Sequence, residues 1–133
     1  MSNPGAPVRL LLIDDEVGYL EVLSKRLRLR GFAVTTASSG AEAIRIVRRQ
    51  NFDVSVVDLK MEDMDGIDVL KVLKKMIPAM QVIMLTGHGS ERAARDGLAN
   101  GAFDYLIKPI SLQVLVERIH AAVASAEECV GDS

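Results

Sequence analysis

Four short apolar runs in this chain each stop at a chemically reactive residue, and that repetition constrains the fold more than any other feature. Leu10-Leu11-Leu12-Ile13 leads into Asp14-Asp15-Glu16, and Val54-Ser55-Val56-Val57 leads into Asp58. Val82-Ile83-Met84-Leu85 leads into Thr86, and Phe103-Asp104-Tyr105-Leu106-Ile107 into Lys108-Pro109. Runs this short and this rich in Val, Ile and Leu read as strands covered on both faces, as in a parallel sheet between layers of helices. Parallel strands all finish at one edge. Three carboxylates, a hydroxyl and an ammonium are therefore predicted to gather there.

Between these runs the periodicity becomes helical. After a strand at Val8–Ile13, Leu20, Leu23 and Leu27 recur at helical spacing within Val17–Arg30, and Gly31 supplies the stop. Ala33–Ala37 is a short β-branched run whose Thr35-Thr36 suits the edge of a sheet. Ser39 is predicted to cap a helix over Ala41–Gln50, with Glu42 placed as in a capping box. Asp53–Val57 is the third strand, and Ile67, Leu70 and Leu73 mark a helix that closes near Pro78. Gln81–Leu85 is the fourth strand, and Ser90 is placed to cap Glu91–Asn100. Gly97 and a thin stripe of Ala94 and Leu98 make that helix the least secure of the chain. Ala102–Ile107 is the fifth strand, and Ser111 caps a last helix with Leu112, Leu115, Val116, Ile119, Ala122 and Val123 on its apolar face. The pattern is that of an α/β fold, a five-stranded parallel sheet with helices on both faces.

Bulk properties narrow the function. At 133 residues the chain is expected to form one domain over 1–125, followed by a disordered tail over 126–133, where apolar content is low. A net charge of -2 offers no general attraction to nucleic acid or anionic membrane. Lys25-Arg26-Arg28-Arg30 and Arg45-Arg48-Arg49 read as solvated helix faces, and the methionines as core filler. The absence of Trp argues against a base-stacking surface. No apolar run approaches the ~20 residues that span a bilayer, and the first residues lack a secretory pattern. Cys129 stands alone, which suits a reducing cytoplasm.

The converging residues carry the chemistry. Close carboxylates repel by ~1 kcal/mol per pair in water and ~4 kcal/mol near a protein surface, so Asp14, Asp15 and Asp58 together call for a cation. All-oxygen ligation by few carboxylates fits Mg²⁺. Asp58 is then a candidate nucleophile toward phosphorus, forming an acyl phosphate. Lys108 and Mg²⁺ would neutralise the transferred group, Thr86 would donate a hydrogen bond, and the N–H groups of Lys60 and Gly87 could complete the cradle.

In this set and spacing the chain resembles the receiver domains of two-component response regulators, over roughly Val8 to Ala124. The resemblance rests on Asp14-Asp15, on Asp58 with Met61 and Met64-Asp65-Gly66, on Thr86, and on Lys108-Pro109. It implies the flavodoxin-like strand order 2-1-3-4-5 and a cis Lys108–Pro109 bond. Asp58 would accept a phosphoryl group from a sensor histidine kinase or phosphotransfer protein. Asp15, Asp58 and the Lys60 carbonyl would bind Mg²⁺, with Asp14 acting through water. Thr86 and Tyr105 would form the switch, relaying phosphorylation to the face of the fourth helix, fifth strand and fifth helix, where a homodimer or partner could dock. Lys60 and His88 would flank the water that removes phosphate. The only catalysis implied is the domain's own phosphorylation and dephosphorylation, so the resemblance is to a signalling switch and not to an enzyme. Glu62 departs from the family, which usually has proline there; this either alters metal affinity or loop mobility, or, the stronger reading, leaves Glu62 simply pointing to solvent. The stretch from Thr86 to Ser90, with Phe103-Asp104-Tyr105, is similar to receivers that precede transcription-activating ATPase domains.

Three alternatives use related chemistry. A phosphotransferase of the haloacid dehalogenase type would place its nucleophile after the first strand, in an Asp-x-Asp pattern. A flavin-binding module would want a Ser/Thr-rich loop where this chain has carboxylates. A degenerate receiver that only binds proteins would have lost site residues that this chain retains.

Overall fold

The structure, a computed structural model, describes residues 5–87 and 90–131, the side chains of 128–131 excepted. Strands and helices alternate as β1 (Arg9–Ile13), α1 (Val17–Leu29), β2 (Ala33–Ala37), α2 (Gly40–Val47), β3 (Val54–Val57), α3 (Gly66–Met76), β4 (Gln81–Thr86), α4 (Glu91–Ala99), β5 (Asp104–Ile107) and α5 (Leu112–Gly131). Two ends differ from expectation. α2 stops at Val47 because the Arg49 N–H bonds the Ile46 carbonyl at 3.0 Å, tightening the turn before Gln50. α5 runs on through Gly131, so helical backbone continues past Ala126, where the sequence suggests a tail; Ala126-Glu127-Glu128 are good helix formers.

All strands are parallel, in the order β2-β1-β3-β4-β5. Alternation along each strand divides the core. Leu10 and Leu12 of β1 face Leu20 and Leu27 of α1 and Leu115, Ile119 and Ala122 of α5. Leu11 and Ile13 face the opposite layer, with Ala43 and Val47 of α2 and Val69, Leu70 and Leu73 of α3. A buried side chain of this size contributes about 1.5–3 kcal/mol, so the two layers hold the sheet rigid from both sides. β2 lies at the edge, as Thr35 and Thr36 suggest.

Local signals stop and start the helices. The hydroxyls of Ser39, Ser90 and Ser111 accept from the N–H groups of Glu42, Ala93 and Val114, each at 3.1 Å. Glu42 reaches back to the Ser38 N–H at 3.2 Å, one residue before the position a capping box would give it. Gly31 and Gly101, at φ of 94° and 103°, follow α1 and α4 in the left-handed conformation that ends a helix. The Lys108–Pro109 bond is cis, as the resemblance implies. Among the described residues no helix is long and apolar enough to cross a membrane.

Candidate functional site

Strand register brings the reactive ends together. After β1 the chain turns to β2 on one side and then to β3 on the other, so the strand order reverses between β1 and β3. Ile13 pairs with Val57, and the Asp58 N–H bonds the Ile13 carbonyl at 3.0 Å, which sets Asp14 and Asp58 side by side. At the other flank Thr86 pairs with Ile107, and the Lys108 N–H bonds the Thr86 carbonyl at 2.9 Å. Asp14 and Asp58 are each 4% exposed, and Thr86 is fully buried.

The Lys108 ammonium bridges the acids unevenly. It donates to Asp14 Oδ2 at 2.7 Å and stands 3.9 Å from both Asp58 Oδ2 and Glu16 Oε1. Burial pulls the lysine pKa down, but the Asp14 hydrogen bond and the surrounding acids outweigh it, and the net direction is upward. Asp58 also moves upward. Burial is the main cause and the Asp14 charge adds to it, against the Thr86 hydroxyl, Lys108 and the Lys60 N–H. Even so, Asp58 Oδ1 is buried without a hydrogen-bond partner of good geometry among the described residues. One oxygen at the centre of the site has spare capacity.

The carboxylate oxygens of Asp14, Glu16 and Asp58 lie within 4.8 Å of one another. The sequence reading does not place Glu16 among the ligands, although it directly follows the Asp pair. Asp15, which it does place there, is not part of that group; its Oδ2 accepts the Glu62 N–H at 3.2 Å. Tyr19 is a second addition. Its ring lies 4.2 Å from the Lys108 ammonium, a cation–π contact, and its place on the first turn of α1 is the only sequence signal for it.

The loop from Asp58 to Gly66 is tied at several points, and Glu62 is exposed, as the solvent-facing reading expects. Asp63 accepts the Gly40 and Ala41 N–H groups at 3.0 and 2.9 Å, closing the start of α2. These bonds hold its carboxyl below the usual range. The backbones of Lys60 and Asp65 pair in an isolated antiparallel bridge, and the Gly66 N–H bonds the Leu59 carbonyl at 2.6 Å. Gly66 permits this return, since a Cβ there would overlap the Asp58 carbonyl.

Tyr105 lies against α4 near Gly97. Its hydroxyl is buried beside the Ser90 backbone, without a hydrogen bond of good geometry among the described residues. Gly97 faces it: a Cβ there would lie 3.6 Å from the tyrosine ring, in ordinary contact. The glycine that weakens α4 on propensity is also where that helix meets β4 and β5. His88 lies outside the described residues.

Fold and site define a class, an α/β domain of flavodoxin-like order with an acidic pocket at its switch point. Residues 10–120 match the response regulator receiver domain family, and the chain belongs to that family: it is a receiver domain of two-component signalling, a phosphorylation-dependent switch. Such domains signal instead of turning over a substrate, work with histidine kinases or phosphotransfer proteins, and bind Mg²⁺ at an acidic pocket. The chain is 40% identical over 117 residues to the transcriptional regulatory protein GlrR of Escherichia coli (strain K12), covering 88% of this chain and 26% of that protein. It thus spans about a quarter of such a relative. A response regulator protein from Burkholderia pseudomallei with a phosphorylated aspartic acid, calcium ion and citrate superposes with a TM-score of 0.81 at 27% identity, covering 95% of this chain and 75% of that one. The beryllofluoride-activated NtrC4 receiver domain dimer superposes at 0.84 with 33% identity, covering 89% of this chain and 98% of that one.

Proposed function

We propose that Asp58 is the phosphoryl acceptor of this receiver, taking the group from a phosphohistidine on a sensor kinase or phosphotransfer protein. The observation that carries this reading is Asp58 itself: buried, with one oxygen lacking a hydrogen-bond partner among the described residues and an ammonium 3.9 Å from the other. A buried carboxylate in that state costs stability, which points to a functional group. In the transfer, an Asp58 oxygen bonds to phosphorus as the P–N bond breaks, and the imidazole leaves with the electron pair. Water later attacks phosphorus, the P–O bond to Asp58 breaks, and the carboxylate is restored. Lys60 and His88 are assigned to flank that water.

Lys108 is well placed to follow the charge, since its ammonium is shared between Asp14 and Asp58. The oxygen-only donor set and the orphaned Asp58 Oδ1 fit Mg²⁺, which we assign to Asp14, Asp15, Asp58 and the Lys60 carbonyl, with Glu16 beside them. Bound there, the cation would offset charge on the transferred oxygens. The Burkholderia relative, with its phosphorylated aspartic acid and calcium ion, supports this assignment.

Thr86 and Tyr105 are the proposed switch. With the tyrosine hydroxyl already buried, phosphorylation acts by stabilising an arrangement the chain can adopt, through the Thr86 hydroxyl. The output is read on α4, β5 and α5, where Leu98, Ile107 and Val114 are 49%, 51% and 43% exposed. A homodimer formed there on phosphorylation is supported by the dimeric NtrC4 receiver. The domain, expected over 1–125, extends with α5 to Gly131 and acts in the cytoplasm. Acetyl phosphate with Mg²⁺ is expected to label Asp58 alone as a hydroxylamine-sensitive acyl phosphate. Undiminished labelling of Asp58→Asn removes the proposal.

A further inference from the structure

We propose that the backbone N–H of Glu62 is a latch on Asp15 that competes with the divalent cation for that carboxylate and so sets the metal affinity of this chain. The inference rests on the metal reading above and deepens it. The Glu62 N–H donates to Asp15 Oδ2 at 3.2 Å, across 47 positions of sequence. Asp14, Glu16 and Asp58 bring their carboxylate oxygens within 4.8 Å of one another, and Asp15 stands outside that group. In this proposal, bringing Asp15 into the group turns its carboxylate away from the Glu62 N–H that now holds Oδ2.

The latch cannot simply follow. Asp63, the next residue, is tied by both oxygens to the N–H groups of Gly40 and Ala41 at 3.0 and 2.9 Å, and the Lys60 backbone pairs with that of Asp65. The Glu62 N–H is thereby fixed between two anchored points. Cation and N–H therefore draw Asp15 in different directions. The Glu62 side chain is exposed, so at this position the backbone and not the carboxylate is the acting group. Proline, the residue usual here in receivers, has no N–H to give. The latch exists because this chain has Glu62 instead.

Breaking one such bond lowers Mg²⁺ affinity by about three- to tenfold, the range of a net hydrogen bond. The test compares Glu62→Pro, which removes the donor, with Glu62→Ala, which keeps it; both lose the side-chain charge. Mg²⁺ alone is titrated into each and into the unaltered chain, followed by amide NMR shifts. Thermal unfolding without Mg²⁺ checks that each variant folds. Glu62→Pro is expected to bind Mg²⁺ about three- to tenfold more tightly than Glu62→Ala. Equal affinities, or weaker binding by Glu62→Pro, overturn the latch. A second measurement needs no variant: exchange of the Glu62 amide is expected to quicken at saturating Mg²⁺, and undiminished protection overturns the latch as well. If the unaltered chain shows no Mg²⁺ response at all, the metal reading fails and the latch with it. A normal response with equal variant affinities removes the latch alone.

Discussion

Asp53 and Asp58 stand at opposite ends of the same four-residue strand, β3, and meet opposite surroundings. Asp53 takes the Arg9 backbone N–H at 2.8 Å and its guanidinium at 3.0 and 3.3 Å, so both oxygens are used. Burial pushes its carboxyl up, but the Arg9 bonds outweigh this and the net shift is downward. Asp58, at 4% side-chain exposure against 19%, has one oxygen without a hydrogen-bond partner among the described residues and a net upward shift. The amino end of the sheet is satisfied and the carboxyl end is not. Parallel topology accounts for the contrast, because only the carboxyl end collects reactive residues from β1, β3, β4 and β5 together.

The largest expected effect tests the role of the unsatisfied end. Asp58→Asn should abolish labelling by acetyl phosphate, whereas Asp53→Asn should leave it unchanged; equal losses would break the contrast. Next in size is Gly66→Ala, which should destabilise the fold by about 3 kcal/mol by forcing a Cβ into the Asp58 and Leu59 backbone. A urea midpoint near that of the unaltered chain would show the loop to be softer than its contacts imply.

Stability against pH sharpens the comparison further. The folded-state carboxyl of Asp58 is raised, so what it contributes is present below the ordinary value of 3.8 and is lost as pH rises through the folded value. Asp58→Asn should therefore stabilise the metal-free protein at neutral pH, by about 1 kcal/mol. Asp53 has the opposite sign. Its contribution is present above 3.8 and is lost as pH falls through a lower folded value. Asp53→Asn should cost about 1 kcal/mol at neutral pH, a modest figure because Arg9 is half exposed. Urea midpoints in metal-free buffer between pH 3 and 7 (about the range where carboxylates titrate) should separate the two variants; shifts of the same sign would refute the contrast.

The smallest effect concerns Tyr19. Tyr19→Phe retains a ring face for the Lys108 ammonium and should label at the normal rate, while Tyr19→Leu should slow labelling by about threefold, near the value of an exposed cation–π contact. Equal rates for Phe and Leu would mean that the ring only fills space.

Much of this was legible before any coordinates. The apolar runs and their terminal residues are short-range signals, and so are the capping serines and the glycine that ends α1. Parallel strands convert that local order into one shared edge, which is why Asp14, Asp58, Thr86 and Lys108 could be named together. The details of the edge were not legible. Asp15 turning to the Glu62 N–H, Asp63 closing α2 from 23 positions away, Tyr19 under Lys108, and the buried Tyr105 hydroxyl all depend on where separate elements come to rest. Periodicity and residue chemistry act over a few positions, so the pattern of residues decides which groups reach the site. Register, crossover and the packing of α1, α2 and α4 decide which way each group faces on arrival, because contacts between distant segments form only once the sheet has set their spacing.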